Sequence, residues 1–335
     1  MFKNDLLKNK RILVTGGGTG LGKEMATHYA EHGADIFICG RRENVLKDTA
    51  AEIEDKYDVK VSYESLDIRA SQDVDSYIQR IFDDGPLDGL VNNAAGNFIS
   101  RTEDLSHRGF DAIASIVFHG TFYVTHAVGK RWLELGRPGN IISILATWVW
   151  TGSAFTVPSA MSKSGINSMT QSLATEWGKT GVRINAIAPG PFPTEGAWAR
   201  LSPNQDPNEA ASDSSGAYSQ NPMGRVGEME ELGNLATFLM SDGCNYLNGQ
   251  TIAIDGAEYL TGGTFYRALA SLEDKDWEAI RKDLNKHPIE GLNGKCSEDA
   301  ILEILAKYGV KEGEIEIWGS GKPKREFLWS EDMAD

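Results

Sequence analysis

The chain has 335 residues, of which 41% are hydrophobic, and it carries a formal net charge of −15 at pH 7. This length suffices for one large α/β domain, or for one domain with an extension. The negative charge argues against a nucleic-acid surface, and any anionic ligand needs locally placed arginine or lysine. The three cysteines are scattered, so they predict neither a disulfide framework nor a metal site.

Nothing in the sequence is typical of a membrane or secreted protein. We find no apolar run long enough to span a bilayer, so no membrane partner is expected. Residues 1–5 are not followed by the apolar run of a secretory signal, and residues 332–335 are not a peroxisomal address. The predicted location is therefore cytoplasmic.

A glycine-rich turn near the N-terminus separates an apolar run from a helical pattern. The run at residues 11–14 predicts a strand, and the apolar spacing that begins at Leu21 predicts a helix. The turn between them contains Gly16, Gly17, Gly18, Thr19, Gly20, Leu21 and Gly22. Glycines at this place permit a sharp turn, close approach of a pyrophosphate and tight helix packing, and the helix N-terminus offers free N–H groups to phosphates. The pattern predicts a nucleotide-binding βαβ unit.

Strands and helices alternate along the following chain. Further predicted strands cover residues 36–39, 59–66, 89–91, 141–145, 182–187 and 251–254, and further predicted helices cover residues 44–57, 74–82, 108–133, 159–177 and 230–240. This alternation predicts an α/β fold, a doubly wound parallel sheet of the Rossmann type with helices on both faces.

Two regions depart from this alternation. Residues 202–221 are rich in Ser, Asn, Asp, Gly and Pro, and they predict a binding loop or lid within residues 195–225. The tail predicts helices at residues 277–284 and 298–308, then a hairpin formed by residues 314–318 and 325–329. We therefore predict a nucleotide-binding domain over residues 1–270 and a small C-terminal extension over residues 271–335.

Charged residues after the second and third strands bear on the choice of nucleotide. In dinucleotide folds the position after the second strand meets the adenosine ribose, where an acidic residue favours NAD and arginine favours the 2′-phosphate of NADP. Arg41 and Arg42 precede any acidic residue there and favour NADP(H), although a solvated helix start is the alternative. Asp67 follows the third strand, where it could accept a hydrogen bond from the adenine amino group. The alternative is that it is a surface aspartate at the end of a strand.

Several motifs together resemble a known enzyme family. Asn92-Asn93-Ala94-Ala95-Gly96 follows the fourth strand, Lys163 lies in a small-residue helix, and Pro189-Gly190 follows the sixth strand. With the glycine turn, these motifs resemble the short-chain dehydrogenase/reductase superfamily. Residues 94–100, 151–160 and 189–191 resemble the 2,4-dienoyl-CoA reductases within it. The resemblance covers about residues 7–284 and leaves the tail uncovered.

The resemblance implies a set of cofactor contacts for NADP(H). The glycine turn would hold the pyrophosphate, Lys163 the nicotinamide ribose, and Asn93 would line the nicotinamide side. The implied binding residues beyond the turn are Arg41, Arg42, Asp67, Ile68, Asn93, Lys163, Pro189, Gly190 and Phe192.

The resemblance also implies an acyl-CoA thioester as substrate and an NADPH-dependent reductase of unsaturated acyl-CoA as the activity. Asn97 matches an asparagine that binds the thioester carbonyl, and Ser159 stands four residues before Lys163 where most of the superfamily has tyrosine. Hydride addition to a conjugated thioester develops negative charge on the thioester oxygen, so donors there lower the barrier. The implied substrate contacts are Arg69, Phe98, Ser106, Trp148 and Arg200.

Two positions depart from the family pattern. Trp148 stands where the dienoyl-CoA reductases have their active tyrosine, and an indole N–H is not a practical proton donor. His119 replaces an asparagine that usually holds a water relay, and its unperturbed pKa of about 6.5 makes it the predicted proton source. We therefore predict catalytic roles for Asn97, His119, Ser159 and Lys163.

Three functions are compatible with this pattern. The first is the reductase, and the second is an NADP(H)-binding protein with a degenerate active site and a non-catalytic or regulatory role. A ketone or alcohol dehydrogenase ranks last, because Ser159 replaces the tyrosine that it needs. The helices at residues 108–133 and 159–177 are apolar or small on several faces, and the family pairs them between subunits. They predict that the protein forms a homo-oligomer, and specifically a tetramer.

Overall fold

The computed structural model describes residues 2–194, 221–262, 269–286, 310–311 and 314–315. The chain divides into two compact units, Met1–Gly263 and Thr264–Asp335. The predicted boundary at residue 270 lies near this division. Each unit is considered by itself below.

The first unit is built on one parallel sheet. Its strands are β1 (Arg11–Thr15), β2 (Asp35–Gly40), β3 (Val61–Ser65), β4 (Gly89–Asn92), β5 (Gly139–Ile144), β6 (Val182–Pro189) and β7 (Thr251–Ile254). They form a seven-stranded sheet of order β3-β2-β1-β4-β5-β6-β7, and every neighbouring pair is parallel. The strand order reverses between β1 and β4, and ligands bind outside the carboxyl ends of strands at such a switch point.

Helices connect the strands. In the first unit they are α1 (Gly20–Glu31), α2 (Glu43–Lys56), α3 (Ser71–Asp84), α4 (His107–Ala114), α5 (Thr121–Glu134), α6 (Trp148–Thr151), α7 (Val157–Trp177) and α8 (Met229–Met240). A π-helical turn, Ser115–Gly120, joins α4 to α5. All the strands and helices predicted for this unit are therefore present, with small shifts at their ends.

Both faces of the sheet are covered by apolar side chains. On one face, Tyr29 of α1 and Leu232 of α8 are completely buried in a cluster with the β1 and β2 side chains. On the other, Ile78 of α3 and Trp132 of α5 are completely buried in a second cluster. Burial on both faces explains why the strands are nearly continuous apolar runs, and it confirms the doubly wound α/β fold.

The helical stretch His107–Glu134 bears on the expectation that no apolar run could span a bilayer. Within the residues that the structure describes, it alone is long and apolar enough by length and composition to cross a membrane. Half of its most apolar window is buried inside the fold. That burial is typical of a core helix, whose apolar residues face protein rather than lipid.

The second unit departs in part from the predicted tail. The predicted helix at residues 277–284 falls within α9 (Asp274–Lys286). Glu314–Ile315 (β9) pairs antiparallel with Val310–Lys311 (β8), so the strand partner precedes it in the chain. The predicted partner at residues 325–329, the helix at 298–308 and most of the 195–225 loop lie outside the described residues.

Candidate active site

The described residues of the first unit form a large cleft at the carboxyl ends of the strands. Its volume is about 1930 Å³, and its walls come from the segments that follow β1 to β7. Of the residues predicted for a site, the cleft is lined by Gly16, Gly18, Thr19, Gly20, Leu21, Arg41, Arg42, Asp67, Ile68, Asn93, Asn97, Trp148, Ser159, Lys163, Pro189, Gly190 and Phe192. Residues far apart in sequence therefore meet at one edge of the sheet.

The glycine turn after β1 has a backbone that side chains would not allow. Gly16 and Gly20 have φ values of 66° and 55°, in the left-handed region that favours glycine. A Cβ atom on Gly22 would lie 2.4 Å from the carbonyl oxygen of Gly16 and from Nδ2 of Asn93. Gly22 therefore allows α1 to pack directly against the turn, as a dinucleotide-binding turn requires of its last glycine.

Thr15 and Asn93 hold this turn to the end of β4. Thr15 Oγ1 accepts the N–H groups of Asn93 and Ala94 at 3.0 and 3.1 Å. Asn93 Nδ2 donates to the carbonyl oxygens of Thr15 and Gly16 at 3.0 and 3.2 Å. The Asn93 amide nitrogen therefore shapes the glycine turn, a role that the sequence pattern did not reveal.

Two arginines lie in the cleft next to the glycine turn. Arg41 and Arg42 are exposed and line it. Arg42 Nη2 donates to Thr19 Oγ1 at 3.3 Å, which fixes its position beside the turn. In a chain of charge −15, two adjacent guanidinium groups provide the local positive charge that an additional phosphate requires.

Arg69 has a partner within its own loop. Its Nε lies 2.9 and 3.0 Å from the two carboxylate oxygens of Asp67, and its Nη2 lies 2.5 Å from Oδ2. Hydrogen bonds from Arg69 lower the pKa of Asp67, so the carboxylate is charged at neutral pH. Arg69 does not line the cleft, and this geometry gives no support to the predicted contact with acyl-CoA.

Lys163 and Ser159 lie one turn apart on α7 and are both buried at the cleft. Lys163 Nζ donates to the main-chain carbonyl oxygen of Ile144 at the end of β5. Burial lowers the pKa of Lys163 to about 8, because desolvation disfavours the charged form. The amine consequently exchanges its proton closer to neutral pH than a solvated lysine does.

Asn97 and Trp148 line the same cleft as Lys163 and lie on two other loops. The Asn97 side-chain oxygen accepts the Phe98 N–H at 2.9 Å, which leaves its NH₂ group to donate to a ligand. Trp148 is half-buried and begins the short helix α6. The cleft therefore contains an amide NH₂ group and an indole N–H group that can donate to a ligand.

Two predicted substrate contacts are used within the protein itself. Phe98 packs on a small apolar cluster that includes Ile113 and Ile166. Ser106 is the N-cap of α4, where its Oγ accepts the Gly109 N–H at 3.1 Å. Neither residue lines the cleft, and Arg200 lies outside the described residues.

His119 is exposed on the π-helical turn and does not line the cleft. Its ring centroid lies 5.6 Å from that of Phe118 and 6.3 Å from that of Tyr123. The resemblance predicted a water relay at this position in a buried helix. The imidazole lies on the outer surface, and this placement does not support a proton relay to Lys163.

The segment after β7 adds two residues that the sequence did not indicate. Glu258 and Tyr259 line the cleft, and the Tyr259 ring stacks on Trp150 with centroids 4.9 Å apart. Burial raises the pKa of Glu258. The position of the segment after a predicted strand was the only available signal, because no motif marks these residues.

These features define a dinucleotide-dependent oxidoreductase of the short-chain class. The glycine turn that a Cβ would fill, the arginine pair and the buried Lys163 fit NADP(H). Residues 16–257 match the family described as enoyl-(acyl carrier protein) reductase. The chain belongs to this family of short-chain dehydrogenases and is an NADP-dependent oxidoreductase.

Curated relatives are similar over most of the chain. One, named "Probable 2,4-dienoyl-CoA reductase decr-1.2 [(3E)-enoyl-CoA-producing]", from Caenorhabditis elegans, is 41% identical over 83% of this chain and 90% of its own length. Another, a probable 2,4-dienoyl-CoA reductase [(2E)-enoyl-CoA-producing] from Bacillus subtilis, is 38% identical over 76% of this chain and 98% of its own.

Solved structures agree with the fold. A short chain dehydrogenase from Bacillus anthracis superposes with a TM-score of 0.67 at 38% identity, covering 76% of this chain and 98% of that one. A putative 2-deoxy-D-gluconate 3-dehydrogenase from Agrobacterium tumefaciens, solved with bound NADP, gives a TM-score of 0.68 at 28% identity, covering 77% and 100%.

Proposed function

We propose that this enzyme is a 2,4-dienoyl-CoA reductase-like protein that uses NADPH to reduce a conjugated acyl-CoA thioester. The observation that carries the proposal is the convergence of Asn97, Ser159 and Lys163 on one cleft with the glycine turn. The printed names of the two curated relatives give the same substrate class for those proteins.

The chain's own residues match the demands of this chemistry. NADPH supplies the hydride when it is bound. As charge develops on the thioester oxygen, the Asn97 NH₂ would donate to it, and the Trp148 indole N–H is a second donor in the same cleft. Preorganised donors of this kind contribute roughly 3–4 kcal/mol of transition-state stabilisation each in well-studied hydrolases.

Lys163 is the cleft residue best suited to hold the proton that carbon must receive. Its amine is buried against the Ile144 carbonyl, and its pKa of about 8 makes it a better acid than a solvated lysine. Ser159 lies one turn away on α7 and contributes a hydroxyl to the same cleft. Water from the open cleft would reprotonate the amine.

A non-catalytic NADP(H)-binding role is the second candidate, and Trp148 is the observation that favours it. The indole removes the phenol that the family uses, while the cofactor residues are retained. Oxidation of NADPH measured against dienoyl-, enoyl- and ketoacyl-CoA separates the two. Turnover of the dienoyl thioester supports the reductase, and NADPH binding without turnover of any thioester supports the alternative.

We further propose a homotetramer. Phe118 and Phe122 are exposed on consecutive turns of the His107–Glu134 stretch, and Met161 is exposed on α7. A Cβ on Gly165 would lie 2.6 Å from the Phe118 ring, so these helices meet along one apolar face. Such a face is typical of an interface between subunits.

A cytoplasmic location stays a prediction, because an Arabidopsis thaliana relative is named peroxisomal. Imaging of a fluorescent fusion would test it.

A further inference from the structure

An acidic side chain neighbours the arginine that is predicted to bind the 2′-phosphate. Arg41 directly follows β2, and Asp67 follows β3 after one intervening residue. The two strands are paired as far as Gly40 and Ser65, and beyond them the Leu66 N–H donates to the Gly40 carbonyl oxygen at 2.8 Å. Arg41 and Asp67 therefore leave two adjacent strand ends side by side, and both line the cleft.

A carboxylate at this place opposes the binding of NADPH unless another group neutralises it. In dinucleotide folds, an acidic residue near the adenosine ribose favours NAD over NADP. An unpaired carboxylate beside Arg41 would repel the 2′-phosphate and would also compete with it for the guanidinium group. Hydrogen bonds from Arg69 are the main cause that lowers the pKa of Asp67, and the charge of Arg41 lowers it further. Asp67 is therefore a charged group within electrostatic reach of Arg41.

Arg69 binds both oxygens of this carboxylate, although it does not itself line the cleft. Besides the contacts of its guanidinium group, its backbone N–H donates to Asp67 Oδ1 at 3.1 Å. Pairing of two guanidinium nitrogens with two carboxylate oxygens fixes the orientation of both groups. In the part of the chain that the structure describes, the Arg41 side chain forms no ion pair, whereas Asp67 pairs with Arg69. The carboxylate is thus bound by the arginine outside the cleft and not by the one inside it.

We infer that Arg69 sets the preference for NADPH over NADH without touching the cofactor, because it holds and neutralises Asp67 and so leaves Arg41 free to bind the 2′-phosphate. Arg69 is a positioning residue in this role. The inference concerns the choice of cofactor, and it holds whichever thioester the enzyme reduces. It also gives Arg69 a task that the predicted contact with acyl-CoA does not include.

The test measures the dissociation constants of NADPH and NADH by fluorescence titration and compares their ratio among variants. Asp67 is also predicted to accept from the adenine amino group, which both cofactors carry, so that contribution cancels in the ratio. For Arg69→Ala we expect the preference for NADPH to fall about tenfold, because an uncompensated carboxylate then acts on the phosphate and on Arg41. Arg69→Lys keeps the positive charge and should retain most of the preference.

A double-mutant cycle with Asp67→Asn shows whether Arg69 acts through the carboxylate. Asparagine has no charge for Arg69 to neutralise, so Arg69→Ala in the Asp67→Asn background should change the ratio by less than about twofold. An equal fall of the ratio in both backgrounds would mean that Arg69 contacts the cofactor directly, and it would overturn the inference.

Arg101→Ala is the matched control. Arg101 Nε pairs with Glu103 Oε1 at 3.2 Å across the same two-residue spacing, and neither residue lines the cleft. Its removal should leave the ratio unchanged. Exposed ion pairs contribute little to stability, so thermal denaturation should show that all these variants are folded.

The binding measurement requires no turnover, which separates this inference from the proposed reductase function. A wild-type preference for NADPH that persists in Arg69→Ala overturns the inference and leaves both the Arg41 assignment and the reductase function intact. Equal affinity of wild type for the two cofactors overturns the inference together with the Arg41 assignment.

Discussion

Lys163 Nζ donates to the main-chain carbonyl oxygen of Ile144, the last residue of β5. This bond joins the buried face of α7 to the carboxyl edge of the sheet, where β5 pairs with β6. It places a lysine amine in a desolvated position in the cleft that Asn97 and Ser159 also line. The electrostatic cost of that burial has a measurable consequence for stability.

We predict that Lys163 makes an increasing contribution to the apoprotein's free energy of unfolding as the pH is raised from 8 to 10.5. The folded-state pKa is about 8, below the ordinary value of 10.5. Within this window the unfolded state binds more protons than the folded state, so raising the pH favours folding. Below pH 8 both states are protonated, and above 10.5 neither is.

Chemical denaturation of wild type and Lys163→Met at pH 7.5 and 9.5 measures this term. Other groups also titrate in this range, so the informative quantity is the difference between the two proteins. Wild type should gain stability relative to the variant on going to pH 9.5. Identical pH dependence in both proteins would show that burial does not perturb the lysine.

Loss of Arg41 or Arg42 should weaken NADPH binding and leave NADH binding nearly unchanged. Hydrogen bonds to charged groups contribute about 1.5–3 kcal/mol, so each alanine variant should raise the NADPH dissociation constant roughly 10- to 100-fold. Fluorescence titration measures both affinities. Arg80→Ala is the control, because Arg80 pairs with Glu64 outside the cleft. Equal affinity of wild type for NADPH and NADH would contradict the arginine assignment.

Gly22→Ala should destabilise the fold and weaken the binding of the cofactor. A Cβ there would lie 2.4 Å from the Gly16 carbonyl oxygen, which is backbone and cannot rotate away. We expect a loss of about 1–3 kcal/mol in the free energy of unfolding. Gly178→Ala is the control, since its Cβ would meet its nearest neighbour at 3.4 Å and its φ is −56°. Unchanged thermal stability of Gly22→Ala would mean that the turn relaxes freely.

The sheet and the cofactor end of the site were predictable from sequence for a physical reason. A buried parallel strand is a continuous apolar run, and the glycine turn requires residues without a Cβ at fixed positions. Arg41 and Arg42 follow β2 directly, so their place at the sheet edge follows from the strand alone.

Side-chain partners and rotations were not predictable in this way. Arg69 and Ser106 match a family position, but the first pairs with Asp67 and the second caps α4. His119 was predicted to act through a water relay in a buried helix, but it lies exposed on the π-helical turn. The Trp150–Tyr259 stack joins loops more than one hundred positions apart, which no local pattern encodes.

Phe122→Asp should dissociate the proposed tetramer. The side chain is exposed on α5, next to His126, whose ring stacks on it at 5.8 Å. A carboxylate buried at an interface without a partner costs several kcal/mol, and each copy of the interface would carry it twice. Light scattering measures the mass, with Phe122→Leu as the control that keeps apolar contact. A wild-type monomer at micromolar concentration would contradict the proposal.

The final prediction concerns the proton that completes the reduction. Because His119 is exposed and outside the cleft, His119→Asn should keep wild-type turnover and its pH dependence. Trp148→Tyr places a phenol in the cleft that Asn97 and Lys163 also line, and phenols transfer protons whereas indole N–H groups do not. We expect this variant to raise kcat for a dienoyl-CoA about 10-fold or more, within the range that general acids contribute.

Trp148→Phe is its matched control, since it keeps an aromatic ring without a hydroxyl or an N–H group. The rate of NADPH oxidation should rank Trp148→Tyr above wild type, and wild type above Trp148→Phe, if the indole donates to the thioester oxygen. Equal rates for wild type and Trp148→Phe would mean that Trp148 only contributes apolar surface to the cleft wall. Inactivity of both wild type and Trp148→Tyr with every thioester would favour the non-catalytic role, because the remaining donors, Asn97 and Lys163, would then be in place without supporting turnover.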